Sequence, residues 1–149
     1  MPAQQFHRTG TFTLPCSADS AFPLFSPEGE RLWIKTWDPQ PIYPDTIEFR
    51  RETVFREGEE FHDSLWTILD ADLVAHRAEY VRHEANSHAA HIIVKIDATP
   101  QGCQVSVSYI LTVFGPKADK LAEAFSESAY AEKMRNWQGW ITEYLSSRR

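Results

Sequence analysis

Apolar and polar positions alternate through the middle of the chain. From Glu48 to Gly115 the runs "EFRRETVF", "EFHDSLWTIL", "VAHRAEYVRHE", "SHAAHIIVKIDA" and "CQVSVSYILTVFG" follow one another with a period near two, the signature of half-buried strands. The breaks between them, "REGE", "DAD", "AN" and "TPQG", have hairpin length, which predicts a meander of antiparallel neighbours. Upstream, "QQFHRTGTFTLP" alternates around Phe6, Thr11 and Thr13 and predicts a first strand. Ser17 is placed to cap a short helix in "SADSAFPLFS". Ser26 caps a second one, which Pro27 opens and which runs to about Trp33. Asp38-Pro39 and Gln40-Pro41 then impose extended backbone, because a residue before proline avoids the helical region.

After Gly115-Pro116 the stretch "KADKLAEAFSESAYAEKMRNWQGWITEYLSSRR" holds no proline and is rich in Ala, Leu, Glu and Lys, which predicts one long helix. Its apolar stripe drifts: Leu121, Phe125 and Ala129 share one line, whereas Trp137, Ile141 and Tyr144 lie further round. That drift implies a bend, or two halves touching different surfaces, with Gly139 easing close packing of the second half. The order is strand, two short helices, five strands, long helix. A six-stranded antiparallel sheet with one apolar face needs a cover, and only the terminal helix is long enough to supply it. The fold class is therefore α+β. No repeat or linker interrupts the 149 residues, which suit a single domain.

Alternation also assigns faces. In the fifth strand Ala90, Ile92, Val94 and Ile96 form the apolar set, with His91 and Lys95 toward water. In the fourth, His76, Ala78, Tyr80 and Arg82 are assigned inward, because the alternative buries Arg77 and Glu79 at greater cost. A three-residue turn at Ala85, Asn86 and Ser87 then pairs Tyr80 with Ile92 and Ala78 with Val94. His62, Ser64, Trp66 and Ile68 are assigned inward in the third strand, against a rival set of Phe61, Leu65 and Leu69. Val107, Tyr109, Leu111 and Val113 are assigned inward in the sixth, against Ile110 and Phe114. The helix is expected to add Phe125, Ala129 and either Met134 or Trp137.

Composition narrows the function classes. Hydrophobic residues make up 42% and aromatics 13%, a globular chain with a heavy aromatic load. With 15 basic and 21 acidic residues the net charge is −6, so grip on nucleic acid or anionic membranes is not expected. No apolar run is long enough to span a bilayer, and "MPAQQFHRTG" lacks the regions of a signal peptide. A cytoplasmic protein is the expectation, with Cys16 and Cys103 as free thiols.

The order of elements, with "LFSPEGERLWIKTWDPQPIYP" before the second strand, "HRAEYVR" in the fourth and "FSESAYAEKMRNWQGWITEYL" in the last helix, resembles the START-like (SRPBCC) superfamily, in particular a bacterial branch of it. That superfamily's helix-grip fold is shared with plant pollen allergens and polyketide cyclases. The likeness spans nearly the whole chain. It implies a cavity between sheet and long helix, with the short helices and following loop at its mouth. Trp33, Trp37 and Tyr43 would then be lid and wall residues. Plugging the end of the core is an equally good use of the same aromatics.

The expected wall is Trp33, Trp37, Trp66, Tyr80, Ile92, Tyr109 and Phe125, with Met134 or Trp137 from the helix and His62, His76 and Arg82 as sparse polar groups. Such a lining suits a small hydrophobic or aromatic, lipid- or polyketide-like ligand. An alternative is a cyclase, dehydratase or isomerase in which His62 or His76 carries the proton and Tyr80 or Tyr109 donates to a substrate carbonyl. A third is a co-chaperone-like interaction module, with Val81 and His91 in an exposed patch of the outer sheet face. No metal is expected: His88 and His91 fall on opposite faces of a strand, and neither an HExxH motif nor a Cys/His cluster occurs. No cofactor is implied. A homodimer fits the resemblance, although nothing in the sequence specifies an interface.

Overall fold

A computed structural model of the chain describes residues 2–58 and 63–148. Seven strands form one antiparallel sheet: β1 (Gln4–Leu14), β2 (Gln40–Tyr43), β3 (Val54–Glu57), β4 (Ser64–Asp72), β5 (Arg77–Glu84), β6 (His88–Thr99) and β7 (Gly102–Val113). Their spatial order is β1-β7-β6-β5-β4-β3-β2. β2 to β7 thus form a meander, and β1 closes beside the last strand, pairing Leu14 with Cys103 and Gln4 with Val113. Two short helices, α1 (Ala18–Ala21) and α2 (Pro27–Glu30), follow β1. Then α3 (Asp119–Glu123) and α4 (Glu127–Ser147) end the chain. Seven strands replace the six expected because the proline-rich stretch itself contributes β2, at the sheet edge where missing amide donors are tolerated.

The face assignments hold for the described strand residues of β4, β6 and β7, and in β5 from Ala78 onward. Along β6 the side chains of His88, Ala90, Ile92, Val94 and Ile96 are buried, and along β7 those of Cys103, Val105, Val107, Tyr109, Leu111 and Val113. In β4, Ser64, Trp66 and Ile68 point inward, whereas Leu65 is exposed. Phe61 and His62 lie outside the described residues. The turn over Ala85, Asn86 and Ser87 pairs Tyr80 with Ile92 and Ala78 with Val94. Asn86 takes the left-handed conformation there (φ 61°), which asparagine tolerates better than most residues.

The local helix signals hold as well. Ser17 Oγ accepts from Ser20 N, and Ser26 Oγ from Gly29 N with Pro27 at the first helical position. α2 stops at Glu30, and the chain continues to Trp33 as a turn. The terminal segment is not one helix. It breaks after α3 and restarts where Ser126 Oγ accepts from Ala129 N, and Arg8 Nε holds the Phe125 carbonyl at the break, 2.8 Å away. The drifting stripe thus resolves into two pieces. Close packing is supplied by Gly10 rather than Gly139. A Cβ on Gly10 would stand 2.5 Å from Met134 Cγ, whereas one on Gly139 would meet nothing within 4 Å.

Cys16 and Cys103 are free and their thiols are hydrogen-bonded to each other. Burial pushes the Cys103 thiol up to about 11. Among the described residues no helix is long and apolar enough to cross a membrane, and no group of three or more metal-ligating side chains forms.

Candidate ligand site

The stretch from Ser26 to Pro44 folds over one end of the sheet. Trp33 Nε1 donates to the Leu24 carbonyl at 2.7 Å and Trp37 Nε1 to the Pro27 carbonyl at 2.8 Å. Each indole N–H is therefore satisfied by a backbone carbonyl, which leaves the ring faces for apolar packing. Arg31 fastens the loop by donating to Asp38 Oδ1 at 2.6 Å and to the Pro39 carbonyl. Below it the rings meet edge to face: Trp37 on Trp66 (5.4 Å), Trp33 on Trp137 (5.4 Å) and Trp66 on Tyr80 (6.2 Å). Phe55 stacks on Trp66 at 5.6 Å.

This aromatic assembly nearly fills the space between sheet and α4. What remains is a cleft of about 20 Å³ bordered by Phe25, Glu30, Trp66, Tyr80, Tyr109 and Trp137, with Ile92 and Val94 as its floor. It has room for one water-sized group. Its chemistry is unlike its size. Trp66 is only 7% exposed, and its Nε1–H has no acceptor. Glu30 reaches in from α2, where burial pushes its carboxyl well above the ordinary carboxylate range; Lys133 opposes that shift and Glu57 adds to it.

Lys133 comes from α4. Its Nζ lies 4.6 Å from the centre of the Tyr109 ring, 5.4 Å from Trp137 and 5.5 Å from Phe125. Burial, and then the Arg82 guanidinium, bring its ammonium down to about 7, with Glu30 acting the other way. Arg82 stands over Trp66 (5.3 Å) and Tyr109 (5.9 Å). Its Nε donates to His88 Nε2 at 3.0 Å, so His88 presents a bare Nε2 and carries its proton on Nδ1, toward Ser87 Oγ at 2.7 Å. Burial foremost, then Arg82 and His83, lower His88 to about 4. Tyr80 spends its hydroxyl proton on the Phe25 carbonyl at 2.6 Å.

The residues expected at the site separate into three groups. Trp66, Tyr80, Ile92, Tyr109 and Trp137 border the cleft, and Arg82 and Phe125 contact that border. Trp33 and Trp37 pack behind it as plug residues, while Tyr43 is 68% exposed in β2 and faces away. Met134 is buried on the other side of α4, against Gly10. Both Met134 and Trp137 are core residues, but only Trp137 reaches the cleft.

His76 is a correction. It sits in the turn before β5 with φ 54°, its Nε2 2.6 Å from Asp19 Oδ1 and its ring against Phe22. Six residues of strand, about 20 Å, separate it from Arg82. The positive φ takes it out of the strand's alternation, so the inward series starts at Ala78. The acidic and basic groups of the cleft, Glu30 and Lys133, were not among the expected site residues. Larger concavities lie elsewhere. One of about 660 Å³ runs along β1 and α4 and is lined largely by backbone-spaced threonines and charged side chains. Another, of about 460 Å³, lies outside Trp33, between the Arg31–Thr36 segment and Trp140 and Tyr144. Neither gathers titratable groups shifted as Glu30 and Lys133 are.

No protein-family model matches the chain, and no curated protein matches it. Solved structures do. A protein from Rhizobium leguminosarum aligns over 98% of this chain and 97% of its own, with a TM-score of 0.72 and 17% identity. Norcoclaurine synthase from Thalictrum flavum, as a point mutant in complex with a transition-state analogue, covers 100% and 99%, with a TM-score of 0.66 and 13% identity. Ara h 8.0201 covers 97% and 99%, with a TM-score of 0.62 and 14% identity. These full-length matches establish that the chain has the helix-grip fold, a curved antiparallel sheet with a long terminal helix and short helices after the first strand.

Proposed function

We propose that the chain binds a small aromatic or apolar molecule bearing a polar group, seated between the sheet and α4 at the Trp66–Tyr109–Trp137 cleft. The observation that carries this reading is the unpartnered indole N–H of Trp66, a residue that borders the cleft together with Glu30, while Lys133 stands over the bordering Tyr109 and Trp137 rings. A core built only for stability has no reason to bury an orphaned N–H and to set two half-buried charges beside it. Perturbed ionisable groups converging on an aromatic recess are the physical mark of a site. The fold shared with norcoclaurine synthase is in keeping with it.

The cleft is too small for such a ligand with every side chain in place. Trp33 is the wall between it and the outer groove: it lines that groove and packs on Trp137, which borders the cleft. Swinging the Trp33 ring aside joins the two spaces, and the Ser26–Pro44 stretch then acts as the lid. Titration with 2-naphthol tests this. Tryptophan emission is expected to change saturably and the melting temperature to rise with ligand, by about 2.7 kcal/mol of stabilisation at a hundredfold excess over Kd. A Trp66→Leu variant that responds as the parent does, or a parent that does not respond, refutes the site.

An enzymatic reading is favoured by one observation, the opposed shifts of Glu30 and Lys133. Burial raises the Glu30 carboxyl and lowers the Lys133 ammonium to about 7, moving both toward the neutral-pH range in which proton transfer to and from a carbonyl compound works. Of the histidine–tyrosine arrangement expected from the sequence, Tyr80 and Tyr109 border the cleft, His76 lies away from it, and His62 lies outside the described residues. Turnover that disappears in both Glu30→Gln and Lys133→Met, with naphthol binding retained, would establish it.

A further inference from the structure

The aromatic rings that border the cleft carry donors on or behind them, two of them cations. Trp66 Nε1–H is free. Arg82 uses its Nε on His88, a neutral acceptor, and no described carboxylate forms an ion pair with it. Lys133 likewise forms no ion pair with a described residue and is held by ring faces alone. The two cations flank one ring, Tyr109, at 5.9 and 4.6 Å. Glu30 acts on Lys133, and burial shifts it toward its neutral form; Glu84, buried two residues beyond Arg82 in β5, accepts from Ser64 Oγ. Enclosed cations are ordinarily matched by carboxylates, and here neither cation forms an ion pair with a described one. The missing partner is an acceptor carrying negative charge.

We infer that the ligand of this cleft is an aromatic carboxylate, its carboxyl oxygens received by Arg82, Lys133 and the Trp66 N–H and its ring seated among Tyr109, Phe125 and Trp137. This rests on the cleft being the ligand site. The guanidinium matches a carboxylate with two parallel donors once its terminal nitrogens are engaged. The ammonium and the indole N–H supply the remaining contacts. The ring faces that hold the cations now also hold the ligand's ring, so charge and apolar bulk are recognised in one place. A neutral aromatic of the same shape leaves the cations as they stand and gains only the apolar part.

The test compares 2-naphthoate with 2-naphthalenemethanol, binding each to the intact chain at pH 6.5 by calorimetry. Naphthoate is expected to bind at least about tenfold more tightly, one charge-assisted contact being worth that much. Lys133→Met and Arg82→Met are expected each to erase most of the preference while leaving the affinity for the alcohol near its parent value. Lys133→Met removes an enclosed charge and should fold, which keeps the comparison open even if Arg82→Met does not. Equal affinity for the two probes overturns the carboxylate inference and leaves the ligand site standing. Binding of neither probe overturns both. A preference that survives in both variants places the anion elsewhere, at Arg31 or Lys35 of the outer groove, and also overturns the inference.

Discussion

The two long sides of α4 meet the sheet in opposite ways. Toward β1 the contact is flush at Gly10, beside the open groove of about 660 Å³ along β1 and α4: Met134 fills the space a Gly10 Cβ would take, Tyr130 donates to the Val107 carbonyl at 2.6 Å, and Gln138 reaches the Thr13 carbonyl at 3.0 Å. Every polar atom named there has a partner. Toward β4–β7 the same helix presents Lys133 and Trp137 to a cleft with an orphaned N–H and an enclosed acid. One side is built as a core is built. The other gives up stability, and the proposed ligand site rests on that difference.

Substitution should therefore change stability with opposite signs on the two sides. The largest effect is expected at Lys133. Its ordinary value is 10.5 and the fold brings it to about 7, through burial and Arg82, with Glu30 opposing and Tyr109, Phe125 and Trp137 packed against it. Below pH 7 both folded and unfolded chains carry the proton, so folding bears the full cost of enclosing the charge. Between 7 and 10.5 the unfolded chain keeps a proton that the folded one has lost, and stability climbs with pH. Lys133→Met removes that cost. Chemical denaturation at pH 6 should show the variant more stable, on the order of 3 kcal/mol, with the gap narrowing across pH 7 to 10. A variant equal to or weaker than the parent at pH 6 would mean that the charge is not enclosed.

On the flush side the sign reverses. Gly10→Ala sets a Cβ 2.5 Å from Met134 Cγ and 3.1 Å from Tyr130 Cε2, so the helix must shift or Met134 must leave its rotamer. Overpacking of this kind costs about 2 kcal/mol, roughly 4–8 °C in melting temperature for a domain of this size. Gly10→Ala combined with Met134→Ala should recover part of the loss. If the double variant merely sums the two single losses, the contact is not the cause.

How much of this contrast could be read from residues alone depends on what each signal measures. Alternation reports burial, and it assigned Tyr80, Ile92, Trp66 and Tyr109 correctly because one face of the sheet is covered throughout. It misled at His76, where a left-handed turn residue interrupts the alternation that side-chain counting assumes. The helix break at Ser126 was encoded too. "SES" is a capping signal inside a run of good helix formers, and propensity summed over the whole segment hides it.

The sequence reading gave Lys133 and Glu30 no role, although spacing held a clue. Lys133 stands three residues after Tyr130 and four before Trp137, on the buried stripe of α4, and Glu30 stands four after Ser26 and three before Trp33. A charge on an apolar stripe at helical spacing is the pattern to search for. The size of the cleft was not legible at all, since ring packing to within a water's volume depends on rotamers that sequence spacing does not specify.

The smallest expected effect falls on the rim of the cleft. His88 is 5% exposed, and its Nε2 accepts from Arg82. Its ordinary value of 6.5 is lowered to about 4 by burial first, then by Arg82 and His83. The folded chain therefore binds fewer protons than the unfolded one between these values, so stability rises with pH across that window and is lost as pH falls through it. Between pH 7 and pH 5 the loss from this residue should be roughly 1–2 kcal/mol. Protonation would also take the acceptor from Arg82 and set a second cation against it, freeing the guanidinium to turn toward an anionic ligand. A His88→Gln variant keeps an acceptor and cannot charge, so its acid limb should be flatter than the parent's while naphthoate binding at pH 7 is unchanged. An acid limb that stays as steep in the variant would trace the loss to other groups and would leave the Arg82–His88 contact as a neutral brace for the cleft wall. A flattened limb with altered naphthoate binding would instead make His88 a positioning residue, setting the angle at which Arg82 faces Tyr109.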